Sequence, residues 1–167
     1  ADAVMLSGET SVGKYPVRAT TILSKISLAV EKELEKHEEE LLGFPGPHRS
    51  LSAVSSTCLN ACDIAKEIKA DAIVVYTKEG GIAREIAKHR PFIPIITITE
   101  SKKVARELTL VWGLNKIFVK IISKKTSDIS EKIIQFLKKR KILKKGHKFV
   151  LVYNIGRKEK FISTFTI

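Results

Sequence analysis

Ala72-Ile73-Val74-Val75-Tyr76-Thr77-Lys78-Glu79-Gly80-Gly81 is the stretch on which the reading of this chain turns. Five apolar or aromatic residues in succession predict a strand buried on both faces, not one that alternates between core and water. Thr-Lys-Glu-Gly-Gly is loop chemistry, and residues 82–89 then show the spacing of a short helix that Arg90-Pro91 stops. The alternation continues downstream. Strands are expected over 94–99, 116–122 and 149–153, with helices over 102–110 and 127–139, the latter capped by Ser127 or Asp128. Upstream, residues 51–70 read as a helix. Residues 161–167 alternate and follow too short a connection for a crossover, so they should pair antiparallel at an edge. The expected fold class is α/β, a three-layer αβα sandwich on a mostly parallel five-stranded sheet with an antiparallel edge strand.

The front of the chain does not fit that alternation. Ala3-Val4-Met5-Leu6 reads as a short strand buried on both faces, and Pro16 suits the first position of a helix over 17–42. On that helix Ile22, Leu23, Ile26, Ala29, Val30 and Leu34 recur at three- and four-residue spacing. Gly43-Phe44-Pro45-Gly46-Pro47 breaks it, which divides the chain into residues 1–44 and 45–167. A lone buried-type strand has no partner here, so Val4, Met5 and Leu6 should pack on a neighbouring chain or on the helix that follows. The chain is therefore expected to be a piece of a longer protein.

Composition narrows the classes. With 167 residues, 44% of them hydrophobic, the chain suits one domain and an appendage. No apolar run approaches the ~20 residues of a membrane span, and no membrane partner is expected. Two cysteines cannot make a disulfide scaffold, so a reducing, cytoplasmic compartment is expected. The net charge of +12 is segregated: residues 120–148 hold eleven Lys or Arg against Asp128 and Glu131, whereas residues 31–40 hold six Glu. This composition reads as solvated helix faces, with ion-pair networks of the kind favoured in heat-adapted proteins. The basic stretch lacks an RNA-stacking motif, which leaves nucleic-acid binding through residues 138–148 as the lesser reading.

Several motifs fail on chemistry. Gly8-x-x-x-x-Gly13-Lys14 has the spacing of a P-loop, but Tyr15 cannot offer Mg²⁺ a small hydroxyl and Pro16 removes an amide. Cys58 and Cys62 share a helical face, yet His37, His48, His89 and His147 are too scattered to complete a metal site, so core filling is the expected role. No metal ligand is assigned. The loop after the first sheet strand is better placed, because ligands of open α/β sheets bind beyond the carboxyl ends of strands. There the Thr77 hydroxyl, the Lys78 ammonium and the Gly80 and Gly81 amides could hold a phosphate, while Glu79 would repel one. A plain βα turn, with its glycines only permitting positive φ, is the competing reading.

Taken together, these segments resemble pyruvate kinase. Met5-Leu6-Ser7-Gly8-Glu9-Thr10, followed by Gly13 and Tyr15-Pro16, resembles the motif that closes that family's catalytic (β/α)₈ barrel. The rest resembles the family's C-terminal domain, through Ala72-Ile73-Val74-Val75 with Thr77 and Gly80, then Ala83-Arg84, Arg90-Pro91 and Pro94-Ile95-Ile96. The likeness continues over Arg106-Glu107-Leu108-Thr109-Leu110-Val111-Trp112-Gly113. The resemblance implies a glycolytic transferase, an ATP-forming kinase that moves phosphate from phosphoenolpyruvate to ADP with Mg²⁺ and K⁺. The family's metal-binding carboxylates, catalytic lysine and substrate arginines would lie upstream. No catalytic residue is therefore expected in this stretch, with Ser7, Gly8 and Glu9 at most bordering the site. Alone it should be inactive and bind neither ion, because phosphoryl transfer needs cations placed around the transferring group.

The resemblance also implies a regulatory role. In that family the loop matching residues 77–82 often binds a phosphorylated effector, which makes Thr77, Lys78, Gly80 and Gly81 the candidate effector residues. The domain also helps build a tetramer, so the implied partners are the remainder of the barrel, further copies of the chain and a phosphorylated small molecule. Glu79 and Ile82 stand where the phosphate-binding version carries Ser or Thr, and the segment over 153–161 is shorter than the usual Gly-rich closure. Activation by a sugar bisphosphate is not expected. A stand-alone module with an anion site and no catalysis is the alternative.

Overall fold

The structure is a computed structural model that describes residues 3–36, 52–114, 116–122, 129–155 and 159–167. Two compact units form, Ala1–Arg49 and Ser50–Ile167. In the larger, β1 (Ala72–Tyr76) lies between β2 (Ile95–Thr99) and β4 (Lys148–Ile155), with β3 (Lys116–Val119) beyond β2 and β5 (Glu159–Thr166) beyond β4. β1 is parallel to both neighbours, so that Ile73 stands opposite Ile95 on one side and Val150 on the other. β3 extends the parallel set and β5 closes the other edge antiparallel, as its short connection to β4 requires.

Every residue of β1 and β2 is buried, because helices cover both faces of the sheet. The two-residue period of a strand sorts the side chains. Ile73, Val75, Ile95, Val150 and Val152 face α3 (Ala53–Glu67) and α4 (Gly81–Lys88), joined by Leu108 from α5 (Lys102–Leu108). Ala72, Val74, Ile96, Ile98, Phe149 and Leu151 face α6 (Ile129–Lys139), which adds Ile133 and Leu137. Crossover handedness explains this layering. Strands added outward from β1 to β3 carry α4 and α5 on one face, and the return to β4 on the far side of β1 places α6 on the other. The three layers expected from the sequence are present. On the β5 edge the Phe149 and Phe165 rings stack at 5.4 Å, and Tyr153 and Phe161 stack at 5.2 Å.

Element ends follow local chemistry. The Ser52 hydroxyl accepts from Ser55 N–H at 3.2 Å to start α3, and the Ser101 hydroxyl accepts from Val104 N–H at 3.3 Å to start α5. α4 stops at Lys88, ahead of Arg90, whose φ is +50° and whose guanidinium lies 4.6 Å from the Trp112 ring centroid. Some elements are shorter than the sequence suggests: α3 spans only Ala53–Glu67, α5 ends at Leu108, and β3 ends at Val119 where β2 ceases to pair with it. The expected caps Ser127 and Asp128 lie outside the described residues, as does the Gly43–Pro47 break.

The smaller unit corrects one expectation. Residues 3–7 form neither strand nor helix; the described elements of this unit are α1 (Gly8–Ser11) and α2 (Pro16–Lys36). An apolar tetrapeptide becomes a strand only by pairing, and no second strand exists among the described residues of this unit. Val4 is therefore 63% exposed and Met5 85%, so of the two packings expected for them, on a neighbouring chain or on the following helix, the second is not formed, while Leu6 is half-buried. The apolar stripe of α2 is uncovered too, with Ile22, Ile26, Val30 and Leu34 all exposed. Gly8 to Lys14 is no phosphate cradle. Gly8–Ser11 is a single helical turn, and Gly13 passes so close to the Glu9 carbonyl that any Cβ would collide with it.

Candidate functional site

Strand order locates the site. In the order β3-β2-β1-β4-β5 the direction of winding reverses between β1 and β4, the point where open α/β sheets form a crevice at their carboxyl edge. The loop from Thr77 to Gly81 leaves β1 at that edge, and Tyr76 and Tyr153 pair in register just before it.

The loop is closed from within. Thr77 is buried, its N–H donating to the Ile98 carbonyl at 3.0 Å and its Oγ1 accepting from Gly80 N–H at 3.0 Å. Gly80 sits at φ +80° and caps α4, its carbonyl accepting from Arg84 N–H at 3.1 Å. Arg84 then crosses back over the turn: Nη1 donates to the Glu79 carbonyl at 3.2 Å and Nη2 to Glu107 Oε2 at 3.1 Å. A Cβ on Gly80 would meet that guanidinium at 2.8 Å. Of the four residues singled out from sequence, Thr77 and Gly80 thus face inward, and only Lys78 and Gly81 face solvent. Glu79 is exposed beside them, and Ile82 is part of the core, which accounts for its apolar side chain at that position.

The sequence reading missed the link between Arg84 and Glu107, which are 23 residues apart and meet only because α4 and α5 lie on the same face of the sheet. Lys78 and Arg84 are balanced by Glu79 and Glu107, so the side chains around the loop attract an anion no more than they repel one. What the loop offers a ligand is one free ammonium, one carboxylate and the backbone at the start of α4.

Neighbouring groups show ordinary chemistry. Tyr76 Oη donates to Glu100 Oε1 at the ends of β1 and β2, and burial first, then this carboxylate, pushes the phenol well above its usual range. Cys58 is buried and Cys62 packs against the same core; burial, then Cys58 and Asp63, push the Cys62 thiol up to about 12, where it is neither nucleophile nor ready ligand. Ser7, Gly8 and Glu9 are exposed. The Glu9 carboxyl is held below the usual carboxylate range by its own backbone N–H and then by that of Ser7, which donates to Glu9 Oε2 at 3.1 Å. Among the described residues no three His, Cys, Asp or Glu side chains gather to hold a metal ion.

A parallel sheet of this order, with a glycine turn at its winding reversal and an antiparallel last strand, defines an open, doubly wound α/β domain. The family model described as the pyruvate kinase alpha/beta domain matches residues 55–166, the residues that build this sheet and its helices. The chain belongs to the pyruvate kinase family. It is 39% identical over 116 residues to a pyruvate kinase of Clostridium acetobutylicum, covering 70% of this chain and 24% of that protein. It is 36% identical over 155 residues to the chloroplastic pyruvate kinase isozyme A of Ricinus communis, covering 91% of this chain and 26% of that protein. A crystal structure of a pyruvate kinase from Cryptosporidium parvum superposes with a TM-score of 0.70 at 25% identity, covering 98% of this chain and 33% of that one. The chain spans about a quarter of the length of the curated relatives it matches.

Proposed function

We propose that these 167 residues are the C-terminal portion of an enzyme that transfers phosphate from phosphoenolpyruvate to ADP, and that this portion serves regulation and assembly. The observation that carries the reading is the match of residues 55–166 to the family's α/β domain, in relatives of which the matched stretch is about a quarter. Catalysis belongs to residues upstream. Phosphoryl transfer needs metal ions and cations converging on the transferred group, and the described residues bring no metal donor set together. The Mg²⁺ and K⁺ of the reaction would be held by upstream residues, since the described residues bring together no set of three His, Cys, Asp or Glu. Residues 3–7, carrying Ser7 and continuing into Gly8 and Glu9, supply the last strand of a catalytic barrel, which orders when the remaining strands are present.

The loop holding Thr77, Lys78, Gly80 and Gly81 is the effector site. Its ligand is a small anion held by Lys78 and the Gly81 backbone, since Thr77 Oγ1 is engaged by Gly80 and Ile82 offers no hydroxyl. Glu79 disfavours a sugar bisphosphate. The enzyme works in the cytoplasm as a tetramer, to which this domain contributes. The domain boundary falls near residue 45.

Two measurements test this. The coding sequence before Ala1 should contain several hundred residues of barrel; a start codon immediately ahead of Ala1 would overturn the assignment. Calorimetric titration with fructose bisphosphate should give no tight binding, whereas micromolar affinity would overturn the role given to Glu79.

A further inference from the structure

We infer that the turn joining α6 to β4 is a docking surface for the phosphate backbone of a nucleic-acid duplex, bound without regard to sequence. From residue 138 to 148 the chain carries Lys138, Lys139, Arg140, Lys141, Lys144, Lys145 and Lys148, all exposed, and no acidic residue. The fold explains two of them. Lys138 and Lys139 occupy the last turn of α6, where cations offset the negative end of the helix dipole. Of the other five, Arg140 lies over the Phe136 ring, while Lys141, Lys144, Lys145 and Lys148 have no comparable role among the described residues. No described carboxylate pairs with any of their side chains; the nearby Asp71 accepts from the backbone N–H of Lys148 at 2.8 Å and lies 3.9 Å from His147 Nε2.

The turn is also rigid. Arg140 N–H donates to Phe136 O, Lys141 N–H to Lys138 O and Ile142 N–H to Leu137 O, at 3.0 to 3.1 Å. Gly146 N–H donates to the Ile167 carbonyl at 2.7 Å, and Ile167 N–H donates back to His147 at 2.9 Å, which ties the turn to the end of β5. Leu143 is buried and Ile142 packs on the same core, so the apolar residues of the turn point inward and the cations are left on its exposed side. Gathering like charges on one turn is unfavourable in isolation and becomes favourable against a polyanion, and the backbone that carries them is already ordered.

The chemistry of this surface selects the partner. With Ile142 and Leu143 turned inward, the turn offers a bilayer nothing to insert. The aromatic ring beside it, Phe136, is half-buried with the Arg140 guanidinium 5.9 Å from its centroid, so it gives unpaired bases no stacking platform. What remains is attraction to phosphates, strongest for the high charge density of a duplex. The surface stands at the amino ends of β1 and β4, the opposite end of the sheet from Thr77 to Gly81, and is independent of the effector reading. In sequence this stretch reads as solvated faces; the fold separates the cations that serve the helix from those with no carboxylate partner among the described residues.

The test is fluorescence anisotropy of the intact protein with a labelled duplex of about 20 base pairs. For about four phosphate contacts, affinity should fall roughly a hundredfold between about 50 and about 200 mM salt. The triple variant Lys141→Glu, Lys144→Glu, Lys145→Glu should bind at least about tenfold more weakly than the charge-matched control Lys32→Glu, Lys102→Glu, Lys103→Glu. Circular dichroism checks that both variants fold, and Lys144→Gln with Lys145→Gln replaces the triple variant if it does not. Equal loss in both variants, salt-independent or absent duplex binding, or tighter binding to a single strand or to phosphatidylserine vesicles would each overturn the inference.

Discussion

Gly80 is the residue on which the turn after β1 depends. Its φ of +80° is open to glycine and strained for anything larger, and a Cβ would press on Arg84, Val104 and Leu108. Gly80→Ala should therefore cost about 1–3 kcal/mol in urea unfolding. Gly81→Ala, with no atom within 4 Å of its Cβ position, should cost little. The sequence offers two adjacent glycines and predicts a turn, but which one carries the positive φ is set by the start of α4. Thr77 shows the same limit. As a residue type it suits a phosphate ligand; in the fold its oxygen closes the turn on Gly80. Tyr76 yields a pH dependence. Its folded pKa is raised above the ordinary phenol value of 10.0, so its contribution to stability is complete below that value and is lost as the pH rises through the folded one. Tyr76→Phe should flatten the alkaline arm of the stability curve, measured by urea midpoints across that range.

Among the elements, those legible in sequence are the ones whose side chains meet the same surroundings all along their length. β1 and β2 are buried throughout and read as unbroken apolar runs, while α4 and α6 show an apolar face every three or four residues. Residues 3–6 read just as strongly as a strand and fail to form one, since a strand is a property of a pair and the sequence shows one member. Strand order was equally out of reach, because nothing local records that β4 returns to the far side of β1. Arg84 and Glu107 meet only as a consequence of that packing. α2 offers a test of the proposed barrel. With its apolar stripe uncovered, its amides should exchange in the isolated chain much faster than those of α3 or β1, and should become protected when the upstream residues are restored. Exchange of α2 as slow as that of β1 in the isolated chain would count against a missing barrel.

For the molecule entire, the two ends of the sheet divide the surface. The carboxyl end carries the turn with balanced charge at the winding reversal, and the amino end carries the row of cations. Among the described residues neither end gathers a metal donor set, and the chain matches about a quarter of its relatives' length. The decisive measurement is pyruvate formation from phosphoenolpyruvate and ADP, with Mg²⁺ and K⁺ supplied, by the purified 167-residue chain beside the same chain joined to its natural upstream residues. The expected result is no turnover by the first and turnover by the second; turnover by the first, or by neither, would contradict the assignment of catalysis to the upstream barrel.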